Sequence, residues 1–340
     1  MPAIYLDHAA TTPLLPAARE AMLEGFALWA NPSSPHKPGR AARAALEDAR
    51  ARVKAALGWP GEVIFTSGAS EALALAITRC VQPLVAVSAV EHEAVLRWAD
   101  KAARLPVDAD GWLVKGDVPL GGLVAVQQVN NETGVMHSLL GLHGAVKLAD
   151  GLLLADCAQS AGKIALPMAD MIAISAHKFG GPIGVGALLV RDWAMLRPTG
   201  GQERGYRGGT ENLPGALAMA AALEAGNEWL EQAVRLRLML DEGIVAAGGE
   251  VVAQDAPRLP TIAGYRMPGR SANAQLIRFD GMGIAVSAGS ACSSGSLKAS
   301  PVLTAMGYPH AGEVIRVSIG RETVEGEIEA FLAAWREIKA

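Results

Sequence analysis

The chain has 340 residues, 51% of them hydrophobic and 19% charged, with a mean hydropathy of +0.24 and a net charge of −4. That length supports two domains with a substantial buried core, and that composition excludes disorder as a description of the whole chain. Thirty basic against 34 acidic residues leave no bulk positive charge for nucleic acid, so direct nucleic-acid binding is not expected.

Residues 1–13 lack a basic stretch followed by an apolar one, so no secretory signal is expected. The longest unbroken aliphatic stretch, 216–223, is too short to span a bilayer. The three cysteines, Cys80, Cys157 and Cys292, cannot all pair and fit no zinc spacing. A cytoplasmic protein with reduced thiols and no resident metal is the expectation.

Along the chain, Leu46, Ala49, Val53 and Ala56 recur at helical spacing within 39–57. Strand-like apolar runs follow at 62–66, 84–88, 122–128, 151–156, 171–175 and 184–190, with helices predicted at 70–80, 92–104 and 142–150 between them. Nearly continuous apolar strands separated by helices predict an α/β sheet covered on both faces. After Gly208-Gly209-Thr210 the texture changes. An alanine-rich helical region over 215–247 precedes strands predicted near 260–265, 275–279 and 283–287, a strand over 313–320 and a closing amphipathic helix over 323–338. A domain boundary is placed near residue 245.

Three segments suggest chemistry. Lys178 directly follows the 171–175 strand, and ligands of open α/β sheets collect beyond the carboxyl ends of strands. A lysine desolvated there can form an imine with an aldehyde cofactor, although a loop lysine taken alone is a solvated charge. Asp156 ends the 151–156 strand, with Gln159 three residues on. A carboxylate there can pair with a protonated pyridine nitrogen and Gln159 with the ring's phenolic oxygen, while a lone Asp would be read as a helix cap. Thr66-Ser67-Gly68-Ala69-Ser70-Glu71 joins a strand to a helix, where small residues let backbone N–H groups approach a phosphate. Weak singly, these segments together describe a cradle for pyridoxal 5'-phosphate (PLP).

The motifs extend further: Tyr5-Leu6-Asp7-His8-Ala9-Ala10-Thr11-Thr12-Pro13, Asn31-Pro32-Ser33-Ser34, Glu91-His92, Asn130-Asn131-Glu132-Thr133-Gly134, Asp156-Cys157-Ala158-Gln159, His177-Lys178, Gly205-Tyr206-Arg207-Gly208-Gly209-Thr210 and Ile315-Arg316-Val317-Ser318. In this order the chain resembles the cysteine desulfurases of the class V aminotransferase family, PLP enzymes of fold type I, over nearly its whole length. The resemblance implies a large domain, 15–245, with a mostly parallel seven-stranded sheet, and a smaller α/β domain, 246–340, on which residues 1–14 pack. It implies that His92 stacks on the pyridine ring and moves protons, and that Asn131 contacts cofactor or substrate. Ala69, Ser70, Ser175 and His177 would bind the cofactor at its phosphate end, and Thr210 would reach the phosphate of a neighbouring subunit in a homodimer. Arg316 would clamp the carboxylate of L-cysteine.

The choice of reaction rests on Ser287-Ala288-Gly289-Ser290-Ala291-Cys292-Ser293-Ser294-Gly295. A stretch so rich in Gly, Ser and Ala predicts a mobile loop with an accessible thiol. It is similar to the loop of desulfurases that pass sulfur to protein acceptors. The implied reaction has Lys178 take the Cα proton and the Cys292 thiolate take the sulfur, releasing alanine. Iron–sulfur cluster assembly and tRNA or cofactor thiolation both remain open as destinations, with Cys292 at most a transient iron–sulfur ligand. Selenocysteine lyase, another class V activity and a non-catalytic relative are the rival readings. Two departures stand out: the chain passes quickly from 106–111 to the next strand, and it ends at Ala340 without the tail some relatives use to dock a scaffold.

Overall fold

The protein is described here by a computed structural model covering residues 4–114, 119–289 and 300–340. A short strand β1 (Ile4–Tyr5) precedes helices α1 (Pro16–Ala27) and α2 (Lys37–Leu57). Strands and helices then alternate: β2 (Glu62–Thr66), α3 (Ala69–Arg79), β3 (Leu84–Ser88), α4 (Glu93–Leu96), β4 (Ala103–Leu105), β5 (Leu123–Gln127), α5 (Leu140–Leu148), β6 (Leu152–Asp156), β7 (Met171–Ser175) and β8 (Gly186–Val190). The strands form one seven-stranded sheet in the order β2-β8-β7-β6-β5-β3-β4. β8 is antiparallel to both neighbours and the other pairings are parallel.

Both faces are covered because successive side chains of a strand point opposite ways. Leu153, Ala155, Ile172 and Ile174 pack with Leu46 and Val53 of α2, whereas Leu152, Leu154, Met171 and Ala173 pack with Leu73 and Ala76 of α3. The α/β sheet covered on both faces that the apolar runs predict is what forms, seven-stranded and mostly parallel as the resemblance implies. The helix expected over 92–104 is not: only Glu93–Leu96 is helical, and Ala103–Leu105 joins the sheet edge beside β3. Leu105 precedes Pro106, and the proline ring biases that residue to extended backbone.

The 215–247 helical region splits into α6 (Leu213–Glu224) and α7 (Leu230–Ala246), with Gly226 between them at φ 72°, a conformation glycine adopts without steric cost. The remaining elements are β9 (Glu250–Val251), β10 (Ile262–Arg266), α8 (Ala272–Gly281), β11 (Ile284–Ala285), α9 (Pro301–Ala305), β12 (Val314–Ser318) and α10 (Glu325–Lys339). The strand expected at 275–279 is part of α8 instead. Ser271 caps that helix by accepting from Ala274 N, and Gln275 and Phe279, four apart, face inward while Ile277 faces solvent. The period is helical although the residues are apolar and branched.

β12, β10 and β9 form an antiparallel sheet, and β1 pairs in parallel with β11. Leu6 therefore shares a core with Phe279, Val317, Phe331 and Trp335, and the rings of Phe279 and Phe331 stack at 5.0 Å. Helix α7 gives Leu236, Leu240 and Ile244 to the same core, so the change of core falls before this helix, ahead of residue 245.

Candidate active site

The parallel strands end on one edge of the large sheet, and the residues that follow them meet there. Asp156 is the last residue of β6, Ser175 the last of β7, and Ala176-His177-Lys178 forms a 3-10 turn immediately after. Loop 67–69 leads from β2 into α3. It packs so tightly on β8 that a Cβ on Gly186 would lie 2.6 Å from Gly68 Cα. A Cβ on Gly68 would lie 3.5 Å from the Ser175 hydroxyl, which therefore faces this loop.

The start of α3 could hold an anion. Gly68 provides no side-chain cap, and Ala69 and Ser70 open the helix. Their N–H groups belong to the unsatisfied first turn. Glu71 lies in this first turn, where its Oε2 accepts from Ser67 N and its Oε1 accepts from Arg207 Nε at 2.8 Å. Arg207 thereby ties the 205–210 loop to α3. Thr210 is exposed at the end of that loop, and among the described residues it makes no hydrogen bond to the cradle of its own chain.

Lys178 Nζ donates to the Ala9 and Ala10 carbonyls at 2.5 and 2.7 Å. His177 Nδ1 lies 3.2 Å from Thr11 Oγ1, and its carbonyl accepts from Thr12 N at 2.8 Å. Burial, with the Lys178 and Lys163 charges nearby, brings His177 down to about 4, so its ring is neutral. Gln159 Nε2 donates to the Ala9 carbonyl at 2.9 Å, while Gln159 Oε1 is buried without a partner. Asp156 accepts from Ala158 N at 2.8 Å, and burial raises its proton affinity.

Behind Asp156 lies a second acid that the sequence reading left without a role. Glu91 Oε1 accepts from Gln127 N at 2.7 Å, and Gln127 is the β5 residue paired with Asp156 across the sheet. Burial and the Asp156 charge push Glu91 well above the usual carboxylate range. His92 Nδ1 accepts from Ala94 N at 3.1 Å at the start of α4. That bond puts the imidazole proton of a neutral ring on Nε2.

Across the site, Arg316 of β12 is buried. Its Nη2 donates to Asp7 Oδ1 at 2.7 Å and its Nη1 to the Asn131 carbonyl at 3.1 Å, while Nε is buried without a partner. The turn carrying Asn131 is held by Asn130, whose Oδ1 accepts from Glu132 N and Thr133 N. The backbones of Ser287 and Arg316 bridge each other, and Ser300 Oγ donates to Glu132 Oε2 at 2.5 Å. Both approaches to the Cys292 loop are thus anchored beside Arg316 and Asn131, although Cys292 itself lies outside the described residues. Cys157 and Cys80 are buried, and burial pushes both thiols up, away from the reactive thiolate.

Sequence reasoning named most of these residues but missed Asp7, Lys163 and Glu91 as individual participants. The only signal for Asp7 and Glu91 was their place in the quoted motifs. Lys163 had none.

Known proteins share the family and the fold. The aminotransferase class-V family model matches residues 4–331. A cysteine desulfurase of Cereibacter sphaeroides is 36% identical, the alignment covering 98% of this chain and 94% of that one. An IscS-like cysteine desulfurase of Mycobacterium tuberculosis is also 36% identical, over 96% and 94%. Among solved structures, a NifS-like protein from Rickettsia africae superposes with a TM-score of 0.88 at 29% identity, covering 99% of each chain. SspA, solved in complex with cysteine, superposes with a TM-score of 0.78 at 28% identity, over 94% of this chain and all of that one. The chain belongs to the aminotransferase class-V family, among relatives that carry the name cysteine desulfurase.

Proposed function

We propose that this protein is a PLP-dependent cysteine desulfurase that moves sulfur from L-cysteine to Cys292 and releases L-alanine. The observation that carries the reading is the convergence, on one sheet edge, of a strand-end carboxylate, a strand-end lysine and an uncapped helix start, with a buried arginine facing them. The residues fit the cofactor. Gln159 Oε1 is buried without a partner among the described residues, Asp156 places a buried carboxylate at the strand end, and the α3 start offers N–H groups to a phosphate.

When bound, PLP supplies an aldehyde that links to amines and a ring that withdraws electrons from the substrate carbon. Lys178 would hold it at rest and, once released, take the Cα proton of cysteine. Asp156 as carboxylate would keep the ring nitrogen protonated, and a cation laid against it offsets its burial. Burial and the Asp156 charge both disfavour a second negative charge on Glu91 behind it. Ser175, neutral His177 and the α3 start with Ala69 and Ser70 would hold the phosphate, and Gln159 the ring oxygen. The Arg316 fork would take the substrate carboxylate, exchanging Asp7 for it or adding its unmet Nε. Asn131, fixed beside that fork, would contact the bound substrate. His92, with its proton on Nε2, would return protons to the product carbon. The Cys292 thiolate attacks the substrate sulfur: an S–S bond forms as C–S breaks, the electron pair stays on carbon, and protonation gives alanine.

The same reading includes a homodimer, in which Thr210 serves the partner's phosphate. Leu23 and Phe26, three apart on α1, and Trp29 just beyond it are exposed, Trp29 by 81%, as an interface between copies requires. A sulfur-acceptor protein and a cytoplasmic setting belong to it as well. No helix among the described residues is long and apolar enough to cross a membrane. Incubation with PLP and L-cysteine should yield alanine and, with a thiol reductant, an equal amount of sulfide. Alanine without sulfide, or neither product, would sink the proposal.

A further inference from the structure

The steps above leave one buried amine unused. Lys163, in the turn after β6, is 4% exposed, and its Nζ donates to the Gln159 carbonyl at 2.9 Å. Among the described residues it forms no ion pair with a carboxylate. Its side chain and that of Lys178 line one narrow cavity of about 30 Å³, with His8, Trp229, Arg321 and Glu322 on the other walls. Such a space has room for about two waters. The hydrogen bonds join the two amines as well: Lys178 donates to the Ala9 carbonyl, Gln159 donates to the same carbonyl, and Gln159 in turn holds Lys163.

Two ammonium groups in one poorly solvated cavity repel strongly, and each also loses hydration. Among the described residues at least two carbonyls and the Asp156 charge receive Lys178, whereas Lys163 donates to one carbonyl, so a single charge settles on Lys178. Burial and that charge bring Lys163 down to about 7. The Asp156 carboxylate acts on Lys178 and favours the charge there, whereas the ionisable groups on the cavity walls do not neutralise Lys163. His8 is held neutral by burial, down to about 4, Arg321 is bound to the Ala225 and Gly226 carbonyls, and Glu322 is exposed to solvent.

We propose that Lys163 is the proton partner of Lys178, the pair sharing one ammonium charge that passes to Lys163 when Lys178 acts as a free amine. Lys178–NH3⁺ and Lys163–NH2 become Lys178–NH2 and Lys163–NH3⁺, directly or across a cavity water. Nothing is oxidised and no bond to carbon changes. Lys163 is a positioning residue here, and the inference rests on reading Lys178 as the working amine.

The test is competitive acetylation of the full-length chain freed of cofactor, from about pH 5 to pH 11, with Lys178 labelling quantified by mass spectrometry. In the wild type, Lys178 labelling should rise in two limbs, the lower one near the Lys163 value of about 7. Lys163→Met should remove the lower limb and slow Lys178 labelling about tenfold at neutral pH, the factor of one pKa unit. Lys163→Arg, a fixed charge that accepts no proton, should bring labelling back to lower pH. A single limb in the wild type, or an unchanged profile in a natively folded Lys163→Met, would overturn the proposal. If the Met variant does not fold, the wild-type profile alone decides. Two limbs in a protein that never binds PLP would sink the functional reading and leave the coupling standing.

Discussion

On one side of the site, Asp156, Ser175 and Lys178 hang from β6 and β7, strands buried at every residue. On the other, Arg316 is held by Asp7 and by the Asn131 carbonyl, partners 309 and 185 residues away along the chain. The first side is set by a sheet packed on both faces, so its geometry is fixed before any ligand arrives. The second is assembled from the N-terminal segment, a turn of the large sheet and a strand of the smaller one, and two of its bonds occupy the fork proposed to take substrate. Cofactor chemistry should therefore fail outright when the first side is cut, whereas the second side should give graded losses in binding.

The sharpest way to break this contrast is Lys178→Ala. All turnover should be lost, and borohydride should no longer fix PLP to the peptide carrying residue 178. Fixation at another lysine with activity retained would show that the sheet edge does not define the cofactor side.

Arg316→Ala should leave cofactor binding intact and weaken cysteine binding by about 1.5–3 kcal/mol, or roughly tenfold or more. A spectroscopic titration with cysteine reads this directly. An unchanged dissociation constant would mean that Asp7 keeps Arg316 from the substrate altogether.

Stability should answer to pH through buried histidines. His137, beside the Gln128 backbone, is brought from 6.5 down to about 4 by burial. Its folded value is below its unfolded one, so its contribution is full above pH 6.5 and disappears as pH falls toward 4. The loss amounts to about 3 kcal/mol at most. Replacing His137 by Leu should flatten the fall in melting temperature across that window, and an unchanged slope would contradict the assignment.

Glu91 carries the opposite sign. Its folded value is raised, so its contribution is present below the unfolded value of 4.5 and is lost as pH rises. Glu91→Gln keeps an oxygen for Gln127 N and removes the ionisation cost. Its melting temperature should gain on the wild type with increasing pH above 4.5. A difference that does not vary with pH would show Glu91 to be ionised in the folded protein.

How much of this was legible beforehand follows the same division. β2, β3, β6 and β7 fill the windows expected from their apolar runs, because strands covered on both faces tolerate few polar residues. Lys178 and Asp156 could be placed as strand-end residues for the same reason. The residues of α8 read as a strand because Leu276, Ile277 and Phe279 are apolar neighbours, and only the Ser271 cap marked the helix. The Arg316–Asp7 pair was not legible, since no spacing encodes a contact across 309 residues. Nor were the Ala9 and Ala10 carbonyls that receive Lys178, because backbone acceptors are the same in every residue type. Lys163 followed a small-residue stretch without periodicity, and its burial became visible only once the N-terminal segment lay against it.

Transfer of sulfur to Cys292 is the central step. Wild-type protein loaded with PLP should be exposed briefly to L-cysteine, trapped with an alkylating reagent and digested, and its three cysteine peptides weighed. One additional sulfur should appear on the Cys292 peptide and none on those of Cys80 and Cys157, whose buried thiols resist ionisation. The Cys292→Ser variant should bind PLP and cysteine yet transfer no sulfur, because a serine hydroxyl without an activating base is a poor nucleophile. Sulfur on Cys157 or Cys80 in place of Cys292, or alanine formed by the serine variant at the wild-type rate, would contradict the account.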